Sequence, residues 1–149
     1  NCKKEEDKEI GIITYYMPQM QAIKNSIYES LDRNQWRNFE HFKTNNEFQL
    51  PFRINTVDRF QGMERNIVII STVRSNRQII QEQNRKVVKP NYSLGFAQEL
   101  QRINVGFSRA KKLLIVLGNE KHFSRKKEYE KAISKMHKID ISQLVNIVQ

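Results

Sequence analysis

The 149-residue sequence contains one cysteine and three histidines, and this scarcity excludes several kinds of site. Cys2 has no second cysteine to pair with, so the chain can build neither a disulfide framework nor a cysteine-based zinc site. His41, His122 and His137 are too widely scattered for a local metal motif. We therefore expect no metal site in this chain and a reducing, cytoplasmic setting.

Long apolar stretches are also lacking. No run approaches the roughly 20 apolar positions of a membrane-spanning helix, and the polar residues 1–9 do not have the pattern of a signal peptide. The apolar fraction of 38% and the charged fraction of 28% are typical of a globular domain with large polar loops. We expect one domain over residues 1–149, flexible at residues 1–9 and in part of 75–95, with no membrane partner. Because residue 1 is not methionine, we also expect the chain to be a fragment.

Positive charge is in excess. The chain has 26 lysine and arginine residues against 16 acidic ones, which gives a formal net charge of +10. Such a surface favours polyanionic partners such as nucleic acid, but a solvated basic surface explains the charge equally well. Charge alone does not choose between the two.

Continuous apolar runs predict three buried strands of a parallel sheet, at residues 10–14, 67–71 and 113–117. A shorter strand is predicted at residues 53–57. A helix that begins near Pro18 is predicted from an apolar face formed by Met20, Ile23, Ile27 and Leu31. Because ligands of open parallel sheets bind beyond the carboxyl ends of the strands, we expect the working edge of the domain there.

The stretch from Arg102 to Gly118 combines a predicted helix with the third strand. An apolar stripe at helical spacing is formed by Leu100, Ile103, Phe107 and Ala110. Arg102 and Arg109 are seven residues apart, so both guanidiniums are expected on nearly the same side of that helix. The strand at 113–117 is predicted to be buried on both faces. Such a unit is typical of α/β proteins that handle phosphates.

Three segments resemble motifs of superfamily 1 nucleic-acid helicases. RINVGFSRAKKLLIVLGN (102–119) resembles the sixth motif, INTVDRFQGMERNIVIISTVRSN (54–76) the fifth, and GIITYYMPQ (11–19) the fourth, in the 5′-to-3′ branch of DNA and RNA helicases. Their order and spacing also match that family. The resemblance implies a RecA-like α/β domain of three layers, with a mainly parallel sheet and no P-loop of its own. It would be the second motor domain of a helicase.

The resemblance implies a role for each arginine of the sixth motif. Arg109 matches the family arginine that reaches the γ-phosphate of ATP from the second domain, and Arg is suited to this because it is always charged and binds two oxygens at once. The alternative is a surface salt bridge with a residue such as Glu99. For Arg102, the motif position implies that it supports the cleft or contacts the fifth motif, and an ordinary helix-surface role is the alternative.

The fifth motif implies a nucleotide-binding and a nucleic-acid-binding part. Glu64 matches a carboxylate used at the nucleotide, on the ribose hydroxyls, and Gly62 allows the backbone to approach the nucleotide. Gln61 and Asp58 match positions that link the nucleotide state to the nucleic-acid path, and Thr56 matches a hydroxyl that contacts the phosphate backbone. Local turn capping is the alternative for Asp58 and Thr56.

In the fourth motif, Tyr16 and Gln19 are predicted to face the nucleotide cleft or the nucleic acid, and packing beneath the cleft is the alternative for Tyr16. Tyr15 stands where most relatives have proline. Gly106-Phe107 also departs from the usual pair of a small and then an aliphatic residue, and a glycine inside a helix indicates close packing or a break. Ser108 replaces the usual threonine and keeps its hydroxyl.

Two motor elements are missing from the sequence. It has no G-x-x-x-x-G-K-[ST] phosphate loop and no strand that ends in a paired Asp-Glu for Mg²⁺. The resemblance therefore implies that ATP and Mg²⁺ are bound mainly by an upstream RecA-like ATPase domain. The implied partners of this chain are that domain and single-stranded DNA or RNA. The chain alone is expected to be inactive, although its parent would be an ATP-dependent helicase. The alternatives are a non-catalytic nucleic-acid-binding module and, less favoured, a stand-alone nuclease or nucleoside triphosphatase.

The remaining segments give less specific predictions. The aromatic residues of segment 34–51 are predicted to anchor an irregular connection, with base stacking as the alternative. Residues 75–95 are predicted to form a long polar excursion. A helix capped by Asn119 is predicted to bury Phe123, Tyr129, Ile133 and Met136 and to present a basic outer side, read first as solvated and second as a phosphate track. Residues 139–148 are predicted to form a last strand or a docking tail.

Overall fold

A parallel four-stranded sheet forms the centre of the domain. In the computed structural model, the described residues are 9–30, 43–44, 47–48, 52–72, 77–82, 85–90 and 93–140. The strands of the sheet are β1 (Ile10–Thr14), β4 (Phe52–Thr56), β5 (Arg65–Ser71) and β8 (Ala110–Leu117), in the spatial order β4-β1-β5-β8, and every pair of neighbours is parallel. The four predicted strands are thus confirmed, with β5 and β8 longer at their starts than predicted.

One face of the sheet is covered by helix α1 (Met17–Ser30). Pro18 lies in its first turn, where the missing N–H breaks no intrahelical hydrogen bond. Met20 and Ile23 pack with Ile54 and Ile12 in a small apolar core, as the predicted apolar face requires. The helix is therefore fixed above β1 and β4.

The opposite face carries helix α2 (Leu100–Phe107) and the crossing segment 57–64, which contains a 3-10 turn at Asp58–Phe60. Successive residues of a strand point to opposite faces, so every second strand residue points toward these elements. The main core lies between them and the sheet. Its fully buried members include Ile13, Val57, Phe60, Val68, Ile70 and Ile103. A mainly parallel sheet with helices on both faces confirms the predicted RecA-like α/β class.

Close packing explains the glycine in α2. A Cβ at Gly106 would lie 3.2 Å from Cδ1 of Ile70, and the helix continues through this position to Phe107. Of the two predicted explanations, close packing is therefore correct and a break is not. The helix does end before Ala110, which is the first residue of β8 and not part of the helical stripe.

The prediction that the third strand is buried on both faces is wrong. On the side of β8 away from α2, the side chains of Leu113, Ile115 and Leu117 are 49%, 38% and 42% exposed. Helix α1 covers the β1 and β4 half of that face and does not extend over β8. Leu114 and Val116, on the other side of β8, pack against the main core.

The polar excursion predicted at 75–95 is instead largely a β-hairpin. Strands β6 (Arg77–Glu82) and β7 (Arg85–Pro90) pair antiparallel, and a second 3-10 turn follows at Gly95–Gln98. In segment 34–51, β2 (Lys43–Thr44) pairs antiparallel with β3 (Glu47–Phe48). The predictions for the aromatic side chains of that segment, for residues 1–8 and for residues 141–148 lie outside the described residues.

After β8 the chain forms two short helices where one was predicted. They are α3 (Glu120–Phe123) and α4 (Lys127–Ile133). Asn119 caps α3 as expected, since its side-chain oxygen accepts a hydrogen bond of 3.1 Å from the His122 backbone N–H. In the part of the chain that the structure describes, no helix combines the length and apolar character needed to span a membrane.

Candidate functional site

Residues predicted to share a site are divided between two clusters at opposite edges of the sheet, and each cluster also contains one residue that was not predicted. The carboxyl-edge cluster consists of Tyr16, Asp58, Phe96 and Arg102, and it lies just beyond the ends of β1 and β4. The amino-edge cluster consists of Gly62, Glu64, Arg109 and Lys111, and it lies where β5 and β8 begin. Helix α2 runs between the clusters.

The carboxyl-edge cluster is held by a two-pronged ion pair. Arg102 donates from Nε to Asp58 Oδ1 at 2.8 Å and from a terminal nitrogen to Oδ2 at 3.2 Å, and its other terminal nitrogen lies 2.8 Å from Glu99 Oε1. The hydrogen bonds that Arg102 donates to the Asp58 carboxylate raise the pKa of Arg102, so the guanidinium is charged at every accessible pH. Of the roles predicted for Arg102, the structure realises contact with the fifth-motif stretch. Asp58 is occupied by this pair and does not cap its own turn.

An exposed aromatic ring completes the same cluster. The Phe96 backbone N–H donates to the Tyr16 hydroxyl at 3.1 Å, and the two ring centroids are 5.6 Å apart. The Arg102 guanidinium carbon lies 4.9 Å from the Phe96 centroid, within range of a cation–π contact. Phe96 nevertheless remains 54% exposed, and the sequence analysis did not select it. Its position directly after Gly95, next to the sixth motif, was the available signal.

Gln19 and Thr56 are integrated into the strand ends. The Gln19 amide donates to Ser71 Oγ at 2.6 Å and accepts a hydrogen bond from the Thr14 hydroxyl, so it bridges the ends of β5 and β1. Thr56 closes β4 and is buried. Neither side chain projects freely from the carboxyl edge, although both lie at it.

Arg109 forms the centre of the amino-edge cluster. Its Nε donates to the Val105 carbonyl oxygen at 3.1 Å, and a terminal nitrogen donates to Ser108 Oγ at 2.8 Å. Glu99, the alternative partner predicted for it, pairs with Arg102 instead. Among the described residues no carboxylate forms an ion pair with Arg109. The guanidinium is thus oriented by neutral groups and keeps its charge uncompensated.

Glu64 lies beside Arg109 at the start of β5. The chains of the two motifs meet here, because the Arg65 N–H donates to the Arg109 carbonyl oxygen at 2.9 Å. The Glu64 carboxylate is exposed and approaches Lys111 Nζ at 3.5 Å. Gly62 has a φ of 79° and no atom within 4 Å of the position of a Cβ, so its backbone is accessible. Gln61, next to it, is exposed.

Two expectations about the layout are corrected by this geometry. Arg109 lies beyond the end of α2 and at the amino edge, so the carboxyl-edge rule places only part of the predicted site. The spacing of seven residues separates Arg102 from Arg109 by roughly 10 Å along the helix direction. Tyr16, Gln19 and Arg102 therefore do not adjoin Glu64, Gly62 and Arg109 in one compact pocket.

A buried pair of tyrosines supports the carboxyl-edge cluster from below. The Tyr129 hydroxyl donates to the Ala97 carbonyl oxygen at 2.8 Å and lies 2.8 Å from the Tyr15 hydroxyl. Burial raises the pKa of both phenols above the ordinary value. Tyr15 and Ala97 directly adjoin Tyr16 and Phe96, so the pair fixes the backbone that carries the two cluster rings.

The amino-edge cluster has the donor set of half a nucleotide site. A guanidinium without an anionic partner suits phosphate oxygens, an exposed carboxylate suits hydroxyl donors, and accessible glycine backbone permits close approach. No group of three or more potential metal ligands occurs among the described residues. The cluster has one carboxylate, that of Glu64, which lies 3.5 Å from Lys111 Nζ, so it does not have the donor set of a metal site.

Comparison with known proteins places the chain among helicases. Residues 1–121 match the model of a family described as an AAA domain. The chain is 33% identical over 116 residues to the putative helicase mov-10-B.1 of Danio rerio, which covers 78% of this chain and 10% of that protein.

Two further relatives show the same pattern. The probable RNA helicase armi of Drosophila melanogaster is 33% identical over 111 residues, which is 74% of this chain and 7% of that protein. An uncharacterized ATP-dependent helicase of Methanocaldococcus jannaschii is 31% identical over 103 residues, which is 69% of this chain and 13% of that protein. The chain therefore spans a tenth or so of the length of these relatives. It belongs to the AAA domain family and is a C-terminal-type domain of the superfamily 1 helicases.

Proposed function

We propose that this domain is the second motor domain of an ATP-dependent DNA or RNA helicase. It closes against an upstream ATPase domain and completes the ATP site from outside, while its carboxyl edge contacts single-stranded nucleic acid. Opening and closing of the two domains then move the strand, which is a gating motion and not additional chemistry. The names of the relatives, which include an RNA helicase and an ATP-dependent helicase, support this assignment.

The uncompensated guanidinium of Arg109 is the observation that carries the proposal. In the hydrolysis that the motor would catalyse, water forms a bond to the γ-phosphorus as the phosphoanhydride bond breaks and ADP leaves, and the upstream domain would hold the Mg²⁺ that supplies part of the charge balance. Arg109 would stabilise charge that develops on the γ-phosphate, since its neutral partners, Val105 and Ser108, do not consume its charge. Glu64 would accept hydrogen bonds from the ribose hydroxyls, and Gly62 would admit the nucleotide to the backbone.

The carboxyl edge supports the nucleic-acid part of the proposal. Tyr16 and Phe96 offer aromatic surface, and the Asp58–Arg102 pair links that surface to α2. Gln61 and Asp58 lie on the segment that crosses from this edge to the amino-edge cluster. That segment and α2 both run from the edge proposed to contact nucleic acid to the edge proposed to contact the nucleotide. Residues on them are therefore suited to link the nucleotide state to nucleic-acid binding.

Replacement of Arg109 by alanine in the full-length protein tests the proposal. ATP hydrolysis is expected to fall by about 10³- to 10⁵-fold, the range known for such arginines, while affinity for single strands at fixed salt changes little. Arg109→Lys keeps a charge but loses the two-oxygen contact and is expected to recover only part of the rate.

Arg85→Ala provides the matched control, since Arg85 is an exposed arginine on β7 and belongs to neither cluster. Its ATP hydrolysis is expected to equal that of the wild type. If Arg109→Ala hydrolyses ATP at the wild-type rate, the motor-domain proposal is wrong. A non-catalytic nucleic-acid-binding module would then be the better assignment.

A further inference from the structure

The last part of the described chain concentrates positive charge outside the helicase motifs. Residues 122–138 contain six lysine and arginine residues and two glutamates. The family match ends at residue 121, so this charge is not part of what the chain shares with that family model. It is also not used by the proposed nucleotide site.

Three of these lysines form one row, which we call the lysine row: Lys127, Lys131 and Lys135. The first two are four residues apart on α4 and share a side of the helix. Lys135 follows at the same interval in a turn that continues the helix, because its N–H donates to the Ala132 carbonyl oxygen at 3.1 Å. All three side chains are exposed, and Tyr129 on the opposite side of α4 is buried.

In the part of the chain that the structure describes, no ion pair neutralises the charge of the lysine row. The nearby carboxylates of Glu128 and Glu120 pair with Lys126 and Lys138. Within residues 93–140 and the other described segments, no ion pair involves a member of the lysine row. Like charges four residues apart destabilise a helix, so an external polyanion would relieve the repulsion.

The core holds helix α4, and with it the lysine row, in a fixed place next to the segments that carry the carboxyl-edge cluster. The Tyr129 hydroxyl reaches the Ala97 carbonyl oxygen and the Tyr15 hydroxyl, both at 2.8 Å, and its ring packs edge-on against Phe107. These contacts attach α4 to the segments that carry Phe96 and Tyr16. A rigid attachment of this kind lowers the entropy lost when the lysines bind a partner.

We propose that the lysine row binds the phosphate backbone of single-stranded nucleic acid and extends the strand path beyond the carboxyl-edge cluster. The proposal rests on the proposed function, because it assumes that single-stranded nucleic acid binds at the carboxyl edge of the sheet. Lysine ammonium groups bind phosphates as point charges and read no base edges, so the contact is independent of sequence. The aromatic surface of Phe96 and the lysine row together have the composition of a single-strand track.

The test compares the full-length protein with its Lys127→Gln/Lys131→Gln/Lys135→Gln variant. Binding of labelled oligothymidylate and of oligouridylate is measured without nucleotide over a series of salt concentrations. Each phosphate contact contributes about 0.7 to the slope of log affinity against log salt for single strands, so the slope should become shallower by about two. Thermal unfolding should be unchanged or slightly improved, which excludes misfolding as the cause.

A charge-matched control carries Lys24→Gln, Arg85→Gln and Lys86→Gln on α1 and β7, and its slope should remain near the wild-type value. An unchanged slope in the lysine-row variant, or an equal change in the control, would overturn the proposal and leave the Arg109 result untouched. Wild-type protein that binds neither oligonucleotide would overturn it together with the nucleic-acid part of the proposed function.

Discussion

The buried pair of tyrosines predicts how much stability is lost when each hydroxyl is removed, because the donor and the acceptor of both hydrogen bonds can be assigned. A phenol has one hydrogen to donate, and that of Tyr129 goes to the Ala97 carbonyl oxygen. The second contact must therefore be a hydrogen bond that Tyr15 donates to the Tyr129 oxygen. The two tyrosines are 5% and 1% exposed, so solvent cannot replace either partner.

The two single substitutions should differ in cost for this reason. Tyr129→Phe leaves both the Ala97 carbonyl oxygen and the Tyr15 hydroxyl without a partner, and it should lower the free energy of unfolding by about 2–4 kcal/mol. Tyr15→Phe leaves the bond to Ala97 intact and should cost only about 0.5–1.5 kcal/mol. In the Tyr129→Phe background, Tyr15→Phe removes an orphaned hydroxyl and should be nearly neutral.

Urea denaturation of the 149-residue chain and of the three variants measures these differences as a double-mutant cycle. The two effects should fall short of additivity by about 0.5–1.5 kcal/mol, which reaches or exceeds the limit of about 0.5 kcal/mol for independent sites. A larger loss for Tyr15→Phe than for Tyr129→Phe would refute the assigned direction of the hydrogen bonds. Additive losses would refute the connection between them.

Two further predictions concern packing and pH. Gly118→Ala should lower the free energy of unfolding by about 1–3 kcal/mol in urea titrations, because the new Cβ overlaps the Thr72 hydroxyl and lies 3.3 Å from Thr72 Cβ. Adding Thr72→Ala to the same chain should restore part of the lost stability. Equal stability of the wild type and Gly118→Ala would contradict this prediction. The raised pKa values of Tyr15 and Tyr129 mean that the folded chain retains protons that the unfolded chain releases above about pH 10. Stability should therefore be maintained below that pH and fall above it, with a smaller fall in the doubly substituted Tyr15→Phe/Tyr129→Phe chain.

The central sheet could be predicted from sequence because its strands are continuous apolar runs. Such runs are required where both faces of a parallel strand are covered, and β1 follows the rule. The same rule misjudged β8, because an apolar run does not reveal whether the domain supplies a cover for each face. The hairpin of β6 and β7 was missed because its polar, basic composition resembles that of a loop. Its antiparallel register depends on which residues pair across the two strands, and composition does not show that pairing.

Motif spacing selects candidate site residues one by one, but it does not give their arrangement in the fold. Motif spacing identifies Arg102 and Arg109, and a helical projection places them on one side. It cannot show that α2 ends at Phe107, which puts the second guanidinium at the other edge of the sheet. The pair between Arg102 and Asp58 joins residues 44 positions apart, so only the fold brings them together.

The attachment of α2 to the fifth-motif stretch has a mechanical consequence. The helix is fastened to that stretch near its start, where Arg102 binds Asp58, and again just past its end, where the Arg109 carbonyl oxygen accepts from the Arg65 N–H. Because α2 is attached at both ends, it cannot pivot about either end alone. Any tilt of the helix would displace the residues at both edges of the sheet together. If the domain acts in the proposed motor, we therefore expect it to turn as one rigid body, with the flexible joint outside these two attachments.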